Sequence, residues 1–260
     1  MIKPTLRLRV FAGPNGSGKS TIIQAVKAAK VKEIPVDFGI YINADDIAKR
    51  LRKDKFSFKR YKVDATTREF NRIAEQSGLL GKEFPVDVFK RSYSISGDKL
   101  VLKDQEKDER LAQILADYLR KKLLSEKRKF SFETVFSHKS KLDIMEQARD
   151  AGYKVYLYFV STQDPEINKY RVKQVRVAEG GHDVPEDKIE KRYYRSLEYL
   201  FKAAQLTYQS YFFDNSEDGI GFRLFAHFKI VRGKKKWSNM DKSQYPRWFV
   251  KYYSKKVKKA

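Results

Sequence analysis

The sequence predicts an α/β fold, and three observations carry that expectation. Residues 13 to 20 read Gly13-Pro14-Asn15-Gly16-Ser17-Gly18-Lys19-Ser20, the pattern G-x-x-x-x-G-K-S/T. A strand-like alternation precedes this loop and a helix-favouring run follows it, which is the context the pattern requires. Further along, apolar strands alternate with amphipathic helices, as in a parallel sheet with helical crossovers.

The elements follow in order. Leu6, Leu8 and Val10 alternate with Arg7 and Arg9 and run into Phe11 and Ala12, a strand that stops at Gly13. Gly18 to Ala29 favours a helix. A short strand is expected at Gly39 to Asn43, then a helix from near Asp45 with Ile47, Ala48 and Leu51 on one face.

Residues 53 to 105 interrupt the alternation with a polar helix near Ala65 to Gln76 and a hairpin over Ser92 to Leu102. Leu111, Ile114, Leu115, Tyr118 and Leu119 then mark a helix, Phe130 to Val135 a strand, Lys139 to Ala151 a helix and Tyr153 to Val160 a buried strand. Helices near Pro165 to Val177 and Pro185 to Ala204 precede a last core strand at Tyr211 to Asp214. Gly221 to Val231, with a turn at Gly233, suggests a strand or hairpin. Trp248, Phe249, Tyr252, Tyr253 and Val257 suit one face of a terminal helix.

Composition narrows the class. The 260 residues are 41% hydrophobic and 14% aromatic, too apolar for a disordered chain although 34% are charged. There is no cysteine, which removes disulfides, thiolate zinc sites and cysteine nucleophiles and fits a reducing cytoplasm. Met1 to Val10 lacks the apolar core of a signal peptide, and no run approaches the roughly 20 apolar residues of a membrane span, so no membrane association is expected.

The formal charge is +23, which favours polyanionic partners. Residues 229 to 260 hold 12 basic residues against the single acid Asp241, a net +11. The expected division is therefore a domain over residues 1–228, containing the insertion 53–105, and a basic extension over 229–260. Its lysines, interleaved with Trp237, Trp248, Tyr252 and Tyr253, suit a nucleic-acid backbone with stacking, although a solvated charged face is the favoured reading.

The loop at 13 to 21 predicts nucleotide binding. Its glycines let backbone N–H groups turn toward phosphates, Lys19 supplies a point charge, Ser20 a hydroxyl for Mg²⁺, and Thr21 continues the helix start. Asn168-Lys169-Tyr170-Arg171 lacks the aspartate of a guanine-reading segment, which argues against a GTPase. Asp45, in Asn43-Ala44-Asp45-Asp46 after the second strand, is either a base for a substrate hydroxyl or a helix N-cap. Glu133, in Phe130-Ser131-Phe132-Glu133-Thr134, is an acid in an apolar strand end, costly unless it binds something. Arg171, Arg176, Arg192 and Arg195 surround Glu179-Gly180-Gly181-His182 and offer cations for a transferring phosphate. His138, His182 and His227 lack metal-site spacing.

Taken together, Phe11 to Thr21, Tyr41-Ile42-Asn43-Ala44-Asp45, Phe130 to Thr134, Arg176 to Pro185 and Asp214-Asn215-Ser216 resemble the zeta toxin family of P-loop kinases, including its Bacteroides-type stand-alone members. The resemblance covers residues 6 to 52 and 129 to 216. It implies a three-layer, nucleoside-kinase-like core with a five-stranded, mostly parallel sheet. It also implies transfer of the ATP γ-phosphate, with Mg²⁺, to the 3′-hydroxyl of UDP-N-acetylglucosamine.

By that resemblance Asp45 is the base, Lys19 holds the phosphates, Asn43, Glu133 and Thr134 face the acceptor, and Asn215 lies near the nucleotide base. Arg176 matches the first lid arginine. The second is replaced by Gly180-Gly181-His182, and Arg192 or Arg195 substitutes. An antitoxin is the implied protein partner. Two alternatives stand beside this: a polynucleotide or RNA kinase that uses the basic tail, and an ATP-binding interaction module without turnover.

Overall fold

The computed structural model describes residues 5–54, 56–103, 108–176, 184–238 and 241–258, the side chains of residues 175 and 176 excepted. Strand β1 (Arg7–Ala12) leads through the glycine-rich loop into α1 (Lys19–Ala28). The small hairpin β2 (Lys30–Val31) and β3 (Ile34–Pro35) precedes β4 (Ile40–Ile42) and α2 (Ala44–Leu51). Helices α3 (Thr67–Glu75) and α4 (Val86–Arg91), hairpin β5 (Tyr93–Ser96) and β6 (Lys99–Leu102), and α5 (Asp108–Ser125) follow.

Next come β7 (Phe130–Thr134), α6 (Ser140–Asp150), β8 (Lys154–Ser161) and α7 (Pro165–Arg171), which runs on as the π-helical turn Val172–Arg176. After α8 (Glu186–Gln205) the chain forms β9 (Gln209–Asp214), β10 (Arg223–Val231) and β11 (Lys234–Trp237). The last helical stretch is α9 (Arg247–Phe249), a π-helical turn Val250–Ser254 and α10 (Lys255–Val257).

Contacts divide the chain into two units, Met1–Phe38 with Glu133–Ala260, and Gly39–Phe132. In the first, the strands lie in the order β11-β10-β9-β8-β1. β1, β8 and β9 run parallel, while β10 and β11 add antiparallel strands. Residue alternation gives this sheet one apolar face, with Leu8, Val10, Leu157, Phe159, Phe212 and Phe228 buried. Helices α6 and α8 pack on β8, and the chain's last helix packs beside α8. Their amphipathic spacing supplies the covering surface: Ile189, Tyr193, Leu197 and Leu200 are the buried stripe of α8.

In the second unit, β4 and β7 pair in parallel with Ile40, Tyr41 and Ile42 opposite Phe130, Ser131 and Phe132. The inserted residues carry a packed aromatic core. Phe56, Phe58, Phe70, Phe84 and Phe89 are fully buried, and Phe58 and Phe70 both meet Tyr118 of α5. Burial and the Glu69 carboxylate, which accepts from the Tyr118 hydroxyl at 2.9 Å, push that phenol's pKa up. Arg52 after α2 pairs with Asp108 at the start of α5.

Five strands thus form parallel pairs, three in one unit and two in the other. β10 and β11 form the hairpin expected around Gly233, and they extend the sheet beyond β9. β10 runs through residue 229, where the step in charge falls. Phe249 and Tyr253 stack on one another at 4.8 Å, and both meet Phe212 of β9. Trp248 packs against Phe159 and Phe225. The segment is basic on its solvent side and apolar where it meets the sheet.

Candidate nucleotide-binding site

The loop between β1 and α1 is held from two sides. On one, Asn168 of α7 is fully buried; its Nδ2 donates to the Asn15 carbonyl and its Oδ1 accepts from the Thr162 hydroxyl. The Tyr193 hydroxyl of α8 donates to the Thr162 carbonyl at 2.7 Å, which completes a buried chain of polar groups. On the other side, Asn215 Nδ2 donates to the Ser17 carbonyl at 3.0 Å, and Arg171 donates to the Asn215 carbonyl at 2.7 Å and pairs with Asp218.

These approaches explain two glycines. Gly16 has φ +72° and packs on the Asn168 backbone; Gly18 has φ +91° and packs on the Asn215 amide. A Cβ at either would strain the backbone and collide with the neighbour.

Lys19 is buried, and its Nζ donates to the carbonyls of Gly13 at 3.0 Å and Pro14 at 2.8 Å. Helix α1 opens at Lys19 behind Gly18, which offers no side-chain cap. Asn15 Oδ1 and Ser17 Oγ are buried and have no hydrogen-bond partner among the described residues. First-turn donors, an ammonium and a serine hydroxyl suit a polyphosphate. Ser20 and Thr21 are exposed in the first turn, where a hydroxyl can reach a phosphate-bound Mg²⁺. Among the described residues no cluster of three or more His, Asp or Glu could hold a metal by itself, so a cation here would depend on the phosphates.

Asp45 lies in the first turn of α2, exposed. The N-cap is Asn43, whose Oδ1 accepts from the Asp45 backbone N–H at 2.8 Å. Capping therefore accounts for Asn43 and leaves the Asp45 carboxylate unexplained by it. Glu133 and Thr134 are half-buried at the end of β7, and Thr134 Oγ1 accepts from the Phe136 N–H. Arg192 is half-buried on α8. Arg176 ends the π-helical turn, but its side chain and residues 177–183 lie outside the described residues.

Sequence reasoning missed Asn168, Thr162 and the tie between β9 and the C-terminal helix. Asp214, buried at the end of β9, accepts from Trp248 Nε1 at 2.8 Å and from the Ser216 hydroxyl at 2.9 Å. Ser216 also accepts from the Gln163 N–H. The one available signal was an asparagine on the otherwise buried side of α7.

Residues 3–235 match the family model described as an AAA domain. The chain belongs to the AAA domain family. The match takes in the phosphate loop, Asp45 and the strands β9 and β10, and it ends inside β11. No curated protein matches this AAA domain chain.

Among solved structures it is similar to the native AvrRxo1-ORF1:-ORF2 complex, with 15% identity over 90% of this chain and 61% of that one and a TM-score of 0.52, a likeness that shows a shared fold. The same complex with ATP gives a TM-score of 0.49 at the same identity and coverage. A structure from the PezAT chromosomal toxin–antitoxin system of Streptococcus pneumoniae gives 12% identity over 82% of this chain and 68% of that one, with a TM-score of 0.46. The AAA domain chain spans about 61% of the length of the AvrRxo1 chains it matches.

Proposed function

We propose that the protein is an ATP-dependent phosphotransferase of the zeta toxin type, acting on a hydroxyl of a small nucleotide sugar, with the 3′-hydroxyl of UDP-N-acetylglucosamine favoured. The observation that carries the reading is the preformed loop, in which the Lys19 ammonium, the opening of α1 behind a glycine N-cap and the buried Ser17 hydroxyl all suit a triphosphate. In this reading Lys19 neutralises the phosphates and Ser20 contributes a ligand to Mg²⁺, which supplies charge neutralisation when bound.

The Asp45 carboxylate takes the proton of the acceptor hydroxyl. The oxygen attacks the γ-phosphorus, the bond to the β,γ-bridging oxygen breaks, and ADP leaves with that electron pair. Asn43, Glu133 and Thr134 face the acceptor, Asn215 faces the nucleotide, and Arg176 and Arg192 bring positive charge to the moving phosphoryl group. The complex of AvrRxo1-ORF1 with ORF2 supports a protein partner, which the zeta toxin resemblance makes an antitoxin. We place the reaction in the cytoplasm, in keeping with the cysteine-free sequence.

The test is transfer of label from γ-labelled ATP, with Mg²⁺, to UDP-N-acetylglucosamine, other nucleotide sugars, nucleosides and RNA 5′-ends, with Asp45→Asn and Lys19→Met alongside. Label on the nucleotide sugar, lost in both variants while Asp45→Asn still binds ATP, is the expected result. Label on RNA ends instead would replace the acceptor, and ATP binding without transfer to any acceptor would sink the kinase reading. A tail-based RNA kinase keeps only Trp237 and Tyr252 of its four stacking residues, since Trp248 and Tyr253 are buried.

A further inference from the structure

The five-stranded sheet of the first unit has a second face, opposite the apolar one. Strand register places Arg7, Arg9 and Phe11 of β1 beside Lys154, Tyr156 and Tyr158 of β8, then Gln209 and Tyr211 of β9, His227 and Lys229 of β10, and Lys236 of β11. Arg9, Phe11 and Tyr158 are buried, Tyr156, Gln209, Tyr211 and His227 are half-buried, and Lys154, Lys229 and Lys236 are exposed, so the face meets solvent where these lysines stand. Among the described residues of these five strands the one carboxylate is Asp214, buried and tied to Trp248.

The basic residues on this face are held together rather than dispersed. The Nζ atoms of Lys154 and Lys229 lie 4.8 and 5.6 Å from the centroid of the same ring, Tyr208. Lys229 stands directly opposite Lys236 across the antiparallel pair, and Lys234 shares the Lys236 side of β11. Like charges opposite one another cost a sheet stability. None of these four lysines pairs with a carboxylate among the described residues. Their field also reaches His227, whose pKa is lowered by burial and by Lys229.

The ring geometry decides how a ligand would be held. Phe11, Tyr158, Tyr211 and His227 stack across four strands with centroids 4.7, 4.9 and 4.4 Å apart and planes within 25° of parallel. That spacing is the strand spacing of about 4.8 Å, so the rings stand on edge and cover each other's faces. A nucleobase has no open ring face to stack on here; the outward edges are the positive rim of each ring.

We infer that this face binds the phosphate backbone of nucleic acid through Lys154, Lys229, Lys234 and Lys236. Binding is electrostatic and tolerant of sequence, and it uses the strands rather than the C-terminal helix. It is independent of the phosphotransfer reading, because none of the four lysines lies in the phosphate loop.

The experiment measures binding of a labelled single-stranded RNA and a DNA duplex by anisotropy between about 50 and 200 mM salt. It compares the whole chain with two variants that each lose four charges: Lys154→Gln/Lys229→Gln/Lys234→Gln/Lys236→Gln, and Lys242→Gln/Lys251→Gln/Lys255→Gln/Lys258→Gln. At ~0.9 in log–log slope for each phosphate neutralised on a duplex, the first variant is expected to flatten the salt dependence by about 3 to 4, and the second to leave it nearly unchanged.

Equal losses in the two variants would assign the binding to net charge and overturn the inference. So would an unmodified chain that binds no nucleic acid, or that floats with phosphatidylserine vesicles and ignores RNA and DNA. If the first variant does not fold, Lys154→Gln/Lys236→Gln carries the same comparison, with about half the change in slope.

Discussion

The phosphate loop and the C-terminal helix of the first unit are held in opposite ways. The loop is fixed by hydrogen bonds to its carbonyls, a buried one from Asn168 and a half-buried one from Asn215. The helix is fixed by ring packing, with Trp248, Phe249 and Tyr253 each almost wholly buried. Packing tolerates exchange among apolar groups of similar volume; a hydrogen-bonded loop tolerates neither a lost donor nor an added methyl. The first region should therefore report substitutions in ligand affinity, the second in global stability.

The largest effect should come from Phe249→Ala, which removes a ring in contact with Phe212, Phe225, Tyr245 and Tyr253. Truncating a buried phenylalanine costs about 3–5 kcal/mol, measurable by urea unfolding. A cost near zero would mean that the helix is not part of the core and would dissolve the contrast.

Next comes Asn168→Ala, which leaves the Asn15 carbonyl and Thr162 hydroxyl without their buried partner, at about 1–3 kcal/mol. ATP affinity should fall, while Phe249→Ala, measured well below its melting temperature, should leave it nearly unchanged. Calorimetric titration of both variants separates the two. Gly18→Ala tests the same point by steric means. At φ +91°, with Asn215 alongside, it should weaken ATP binding at least tenfold with little change in melting temperature.

Trp248→Phe keeps most of the ring volume but removes the donor to Asp214, and should cost about 1–3 kcal/mol, less than Phe249→Ala. The smallest effect concerns pH. His227 has a folded pKa below its ordinary 6.5, so the unfolded chain binds the proton more readily. Its contribution to stability is present above that value and is lost as pH falls from about 6.5 toward the folded pKa. Melting temperature should drop over that window, and His227→Gln should flatten the drop.

Reading the sequence located the loop because the chemistry is local: the glycines, Lys19 and Ser20 lie within eight consecutive residues, and both flanking elements show their periodicity. The hairpin at Tyr93 to Leu102 and the amphipathic α8 were legible for the same reason. Asp45 was legible as a candidate, but the choice between cap and base was not. In the fold Asn43 takes the capping role, its Oδ1 accepting from the Asp45 N–H, while Asp45 as base belongs to the proposed mechanism.

The sequence by itself determined the α/β class, the phosphate loop and the excess of positive charge, since composition and short-range periodicity are enough for each. Only the tertiary structure decided that Asn168 and Asn215 clamp the loop from segments about 150 and 200 residues away in the chain, as their separations of 153 and 198 residues to Asn15 and Ser17 require. It also decided that the basic C-terminal stretch is core on one side and that lysines from β8, β10 and β11 share one face. The physical reason is the same in each case: a hydrogen bond, a ring contact or a charge cluster depends on which distant strands the sheet sets side by side, and register is a property of the folded sheet rather than of any one segment.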